Sequence, residues 1–248
     1  MPLFRTAPGR PAAYGYTIGV LCAEWNIPFV PGDLNNASTF GFPVRYLTVG
    51  GARGASVLTG DASGYAGDFV RAAKTLEAEG VRAITGNCGY MAAYQEVVAA
   101  SVSVPVFMSS LLQAPLLAAM LGPRRRLAVL VASRDGITDA VLEGAGVGLR
   151  DRGQLVFHGL DRKAHFNEVV IAECGVLDTG RLGAEVVETA VEAVREDPTI
   201  GAILLECSDL PPYARDVHEA TGLPVFDWAS FIRYVHEATE PRRYTGTY

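Results

Sequence analysis

Short runs of consecutive apolar, β-branched residues recur along the chain, and most are separated by segments whose apolar positions fall three and four apart. YTIGVLC at 16–22 and VRYLTVG at 44–50 are of the first kind, and their Gly and Pro boundaries predict buried strands. SGYAGDFVRAAKTLEAEG at 63–80 is of the second kind: Phe69, Val70, Ala73 and Leu76 form one helical face, and Gly80 is a natural stop. VRAITGNC (81–88) then reads as a strand, YMAAYQEVVAAS (90–101) as a helix, VPVFMS (104–109) as a strand and LLQAPLLAAML (111–121) as a helix. The second half continues with strands in RLAVLVAS, GQLVFHGL, IGAILLEC and LPVFDW, and with helices over 135–146, 181–197, 212–222 and 229–240. Strict alternation of this kind predicts an α/β fold whose parallel sheets are covered by helices on both faces.

The second half echoes the first. Shifting the chain by the interval between Cys88 and Cys207 sets Ile84 on Ile203, Tyr94 on Tyr213 and Val98 on Val217. The same shift sets Pro105-Val106-Phe107 on Pro224-Val225-Phe226 without a gap, and IGVLCA at 18–23 matches LAVLVA at 127–132 at a slightly different offset. Apolar character could coincide by chance, but Cys, Tyr and Pro-Val-Phe in register indicate an internal duplication. Two similar parallel-sheet lobes related by a pseudo-twofold axis would turn their strand ends, and both cysteines, toward a shared cleft. Symmetry assigns residues 1–110 plus 229–248 to the lobe carrying Cys88 and residues 111–228 to the lobe carrying Cys207. A simple tandem arrangement split near residue 122 is the alternative.

Composition narrows the function classes. The chain has 248 residues, 49% of them hydrophobic and 19% charged, enough for a sizeable core. Its net charge of −6 argues against nucleic acid, and the densest basic cluster, Arg124 to Arg126, reads as a solvated turn. No apolar run reaches the roughly 18 residues of a membrane span, and the N-terminus lacks the pattern of a secretory leader, so the expected address is the cytoplasm. Cys22, Cys88, Cys174 and Cys207 show no CxxC spacing and are read as free thiols. His158, His165, His218 and His236 form no metal-ligand pattern, so no metal is expected.

A thiol at a strand-to-helix turn feels the positive end of the helix dipole, which predicts a lowered pKa and an available thiolate. Two such thiols facing one cleft suit a reaction that removes a proton from one face of a carbon and returns it to the other. Backbone N–H groups at two helix starts would hold the enediolate that forms in between.

Cysteines at equivalent strand ends of two duplicated α/β lobes resemble the aspartate/glutamate racemase superfamily, and the resemblance spans nearly the whole chain. It implies a cofactor-independent racemase or epimerase, an isomerase of a small carboxylate-bearing substrate such as an amino acid, working without pyridoxal phosphate or metal. Cys88 and Cys207 would be its two acid–base residues. A decarboxylase and a cis-trans isomerase occur in the same superfamily, and each needs only one cysteine. The residues beside Cys88 depart from the family pattern: Asn87 precedes it and Gly89 and Tyr90 follow, where relatives carry Asn and a hydroxyl residue. After Cys207, Ser208 fits the pattern, whereas Asp209 stands where amino-acid racemases often have His or Glu.

Asn87, Gly89, Tyr90, Ser208 and Asp209 are thus candidate substrate contacts. Ser133, which follows the first strand of the second lobe, and Asn36 join them. Asn36 lies in the long segment EWNIPFVPGDLNNASTFGFP (24–43), read either as a lid or subunit contact or as an ordered surface loop. Cys22 is read as structural or pocket-lining, and Cys174 as remote from any strand end. Both a monomer and a homo-oligomer remain open. From another class, paired lobes around a cleft would also suit a non-catalytic small-molecule binding protein.

Overall fold

A computed structural model describes residues 13–59 and 64–247; the N-terminal segment read for a leader, and Ser63 at the start of the first expected helix, lie outside them. Four parallel strands, β1 (Ile18–Glu24), β2 (Val44–Arg53), β3 (Ala83–Gly86) and β4 (Val106–Phe107), form a first sheet in the order β2-β1-β3-β4. A second parallel sheet holds β5 (Arg126–Val131), β6 (Leu155–Gly159), β7 (Ile200–Leu205) and β8 (Val225–Asp227) in the equivalent order β6-β5-β7-β8. The duplication is exact in register: Ile84 pairs with Val106, and their repeats Ile203 and Val225 pair likewise. β3 and most of β1, β5 and β7 are buried, as continuous apolar runs in doubly covered parallel sheets require.

The helices in chain order are α1 (Gly54–Val57), α2 (Ala66–Glu79), α3 (Gln95–Ala99), α4 (Ala114–Leu121), α5 (Asp139–Gly144), α6 (Leu149–Arg152), α7 (Ala164–Phe166), α8 (Thr179–Glu196), α9 (Ala214–Thr221) and α10 (Trp228–Thr239). α2 ends where its sequence predicts, on Gly80 at φ +90°. α8 starts on Asp178, whose carboxylate accepts from the N–H groups of Gly180 and Arg181. The short helices α1, α6 and α7 carry too few turns for a periodic signal.

The helix expected directly after Cys88 opens instead as a tight 3-10 turn over Gly89–Tyr94 before α3 begins. Five of those six residues are buried, a demand that a one-faced α-helix cannot meet. After Cys207 the turn Pro211–Tyr213 leads into α9, with prolines whose missing N–H groups cost nothing at a first turn.

The two halves exchange helices. Leu117 and Ala118 of α4, which follows β4, are buried, and α4 packs on β5 and β7. Trp228, Ala229 and Ile232 of α10, which follows β8, join Ile18, Val20, Ala83 and Phe107 in a core of the first sheet. There the Trp228 Nε1–H donates to Thr85 Oγ at 3.1 Å, and Thr85 donates to the Phe107 carbonyl at 2.7 Å. No helix among the described residues is long and apolar enough to cross a membrane.

Candidate active site

Cys88 follows β3 in extended conformation (φ −144°, ψ 135°), and Cys207 stands two residues beyond the end of β7. The local geometry repeats. Met91 N–H donates to the Cys88 carbonyl at 2.9 Å, and Leu210 N–H donates to the Cys207 carbonyl at 3.2 Å. Each sulfur is faced by the backbone N–H two residues on, from Tyr90 and Asp209 respectively. Both thiols line one small pocket, with about 10 Å³ of free space, together with Trp25, Gly89, Tyr90, Glu206, Ser208 and Asp209, closed further by Leu58, Ala132 and Val170.

The expected lowering of the cysteine pKa values is reversed. Burial pushes both thiols well up, and the charges of Glu206 and Asp209 push in the same direction. The facing N–H groups pull down, but desolvation of a fully enclosed sulfur outweighs them. Cys207 is placed to lose its proton locally, since its Sγ donates to Asp209 Oδ2 at 3.3 Å.

Two buried carboxyls, Glu206 and Asp209, face this sulfur pair, and a third, Asp33, stands behind Asp209. Glu206 is 1% exposed, its Oε1 has no hydrogen-bond partner among the described residues, and burial pushes its carboxyl up to about 8. Asp209 is also held up by burial, and Asp33, reaching in from the 24–43 loop, is held well above the usual carboxylate range by burial and by Asp209. Among the described residues no Lys or Arg lines the cavity. Among the described residues no group of three or more His, Cys, Asp or Glu side chains is arranged to hold a metal ion.

Six of the residues singled out in the sequence meet at this cavity: Cys88, Gly89, Tyr90, Cys207, Ser208 and Asp209. Three others do not line it. Asn36 turns back on its own loop, accepting from Ser38 N–H at 2.9 Å and donating to the Phe29 carbonyl at 2.9 Å. Asn87 instead clamps β1, accepting from Ala23 N–H at 2.9 Å, and steadies the loop by donating to Asn35 Oδ1 at 2.9 Å. Ser133 spends its hydroxyl on a turn, accepting from Asp135 N–H at 3.3 Å. Cys22 belongs to the first-sheet core, its thiol pushed up to about 12 by burial, and Cys174 is exposed.

The 24–43 segment is neither free nor featureless. Trp25 forms cavity wall, Asp33 and Leu34 are buried, and Leu34 N–H donates to the Ser208 carbonyl at 3.4 Å. Asn26 ties it to the other half, its N–H donating to Glu173 Oε2 at 2.7 Å and its side chain to the Glu173 carbonyl at 3.0 Å. Sequence reading missed Glu206 and Trp25. Glu206 had a signal, a lone acid ending the otherwise apolar run AILLEC.

No family model matches the chain. A dimethylsulfoniopropionate lyase of Durusdinium sp. clade D is 33% identical over 226 residues, which are 89% of this chain and 74% of that protein. Dimethylsulfoniopropionate lyase 5 of Emiliania huxleyi is 33% identical over 207 residues, covering 79% of this chain and 40% of that longer protein. Unliganded arylmalonate decarboxylase superposes with a TM-score of 0.60 at 16% identity, over 92% of this chain and 94% of its own. Aspartate racemase from Picrophilus torridus does so with a TM-score of 0.57 at 14% identity, over 93% and 96%.

The fold is therefore that of the aspartate/glutamate racemase superfamily, as the paired cysteines implied. The activity drawn from that resemblance is not. The sequence relatives are lyases, which eliminate a group rather than invert a centre, and this overturns the expectation of a racemase, epimerase or other isomerase of an amino acid. A pair of strand-end cysteines does not by itself fix which reaction a chain performs. At 33% identity over 89% of its length, the chain belongs to the dimethylsulfoniopropionate lyase family.

Proposed function

We propose that this chain is a lyase that cleaves dimethylsulfoniopropionate, or a closely similar β-sulfonio carboxylate, into acrylate and dimethyl sulfide. The observation that carries the reading is the enclosed pair of strand-end thiols, one already hydrogen-bonded to a buried carboxylate, in a chain with lyase relatives.

Cys207 passes its proton to Asp209 and the resulting thiolate removes a proton from the carbon next to the substrate carboxylate. Backbone N–H groups of the two turns and the Ser208 hydroxyl hold the negative charge that develops on that carboxylate. The electron pair forms the C=C bond as the C–S bond breaks, and dimethyl sulfide leaves neutral because its sulfur arrived positively charged. No proton returns to the second face, so Cys88, kept protonated by burial, acts as a neutral wall and hydrogen-bond donor.

Dimethyl sulfide in the headspace over purified protein and substrate tests this. Cys207→Ser should lower the rate by about 10²- to 10⁴-fold, with Cys88→Ser losing less. A wild-type protein that releases no dimethyl sulfide, or a Cys207→Ser variant that keeps most of its rate, would sink the reading.

A further inference from the structure

The residue pattern beside Cys88 leaves one group unused by this chemistry. Gly89 does not adopt a positive φ, so its backbone does not call for glycine. What it supplies is space: a Cβ there would overlap the Glu206 carboxyl. A second glycine does the same nearby, since a Cβ on Gly54 would overlap the ring of Trp25. Two missing side chains thus accommodate an acid and an indole that line one cavity.

We propose that Glu206, framed by Trp25 and Tyr90, recognises the sulfonium centre of the substrate and selects an onium ligand over a neutral one of the same shape. The inference rests on the lyase reading for the identity of the onium. Its geometry is independent of that reading: among the described residues, a carboxyl oxygen with no partner, in a residue 1% exposed, faces a cavity lined by no Lys or Arg.

The chemistry of the ligand fits these walls. A sulfonium carries no N–H or O–H to donate, and its charge is spread over methyl groups that are weakly hydrated. A single carboxylate beside aromatic faces is what such a cation needs, whereas an ammonium would want several acceptors. The groups facing Glu206 reinforce this. Cys88 and Tyr90 approach from the turn after β3, Cys207 and Asp209 from its own turn, and Asp33 stands behind Asp209; all are neutral or acidic. A second carboxylate, as in aspartate or glutamate, would meet repulsion at this end.

Because burial pushes Glu206 up to about 8, the empty site holds a proton at neutral pH. An arriving cation draws that proton off, so onium binding below this range releases a proton and tightens as pH rises. A neutral ligand gains nothing from the ionised carboxylate.

The test compares dimethylsulfoniopropionate with 4-methylpentanoate, which has carbon in place of the charged sulfur, by calorimetry on the Cys207→Ser variant of the whole chain in buffers of different ionisation enthalpy. The sulfonium should bind at least about tenfold more tightly and release a proton near neutral pH. Adding Glu206→Gln should abolish both the preference and the proton release, while the affinity for 4-methylpentanoate stays within about threefold, the size of a change that costs under a kcal/mol. A preference that survives Glu206→Gln, or an equal loss of both ligands, overturns the inference. Absence of dimethyl sulfide from the wild type beside an intact, Glu206-dependent preference would sink the lyase reading alone.

Discussion

The phenol oxygen of Tyr90 lies 2.6 Å from the backbone nitrogen of Ser133 and 2.6 Å from its carbonyl oxygen, accepting from one and donating to the other. This single side chain ties the turn after Cys88 in one half to the end of β5 in the other. Tyr90→Phe removes both bonds and strands two backbone groups, so stability should fall by about 1–3 kcal/mol in urea titrations. Loss of activity without loss of stability would mean that the phenol serves the substrate instead.

Thiol reactivity should follow burial. Iodoacetamide near neutral pH should label exposed Cys174 well before Cys88 and Cys207, whose thiols burial holds in the protonated form. Peptide mass spectrometry over a time course reads the order directly. Rapid labelling of the cavity pair would contradict the electrostatic account.

That order reverses what the sequence led us to expect, and the reason is one of magnitude. A helix end offers about 0.3–1 kcal/mol, up to about 2, and the turn after Cys88 is not an α-helix at all. Full burial moves a titrating group by as much as 3–5 pKa units, a term that sequence cannot weigh. Legibility was highest where the chain repeats itself: the Ile84 and Ile203 strands, the Pro-Val-Phe edges and the cysteine pair were all visible in the duplication. It was lowest where a side chain's aim decides its role. Neighbouring Asn35 and Asn36 look alike in sequence, yet Asn35 bonds to Asn87 and Asn36 caps its own turn. The leaving group, too, leaves no imprint on a cysteine's position in a strand.

Gly89 and Glu206 should behave as a pair. Gly89→Ala should cost about 1–3 kcal/mol by overpacking, because a Cβ there overlaps the Glu206 carboxyl, whose residue is 1% exposed. In a Glu206→Ala background the same change should cost well under that, and a double-mutant cycle by chemical denaturation measures the difference. Additive costs would mean that the two residues do not share the space.

Stability should also depend on pH through Glu206. Its carboxyl keeps its proton in the fold up to about 8, whereas in the unfolded chain it ionises in the ordinary glutamate range. The folded-state contribution is therefore complete in acid below that range and is lost as pH rises toward 8, with a limiting slope of about 1.4 kcal/mol per pH unit. Asp33 and Asp209 act with the same sign, but they remain in both proteins when wild type is compared with Glu206→Gln. The stability difference between the two should shift in favour of the variant from pH 5 to 8; a flat difference would show that Glu206 is ionised in the empty protein.

Asn87 and Asn36 make a paired control. Asn87→Ala removes bonds to Ala23 and Asn35 at a buried position, and both stability, by about 1–3 kcal/mol, and the lyase rate should drop. Asn36→Ala loses a turn cap, with a cost of about 0.5–2 kcal/mol and little change in rate. Equal effects on rate would return Asn36 to the site.

The exchanged helices bear on how the molecule holds together over time. Each sheet is finished by a helix that arrives from the far half: α4 settles on β5 and β7, and Trp228 of α10 fills the core beside Ile18 and Phe107. Losing one sheet would strip a cover from its neighbour, so the two halves should unfold together. Two sheets covered in this way should behave as one cooperative unit, so a denaturant titration should show a single transition where the duplicated sequence suggests two.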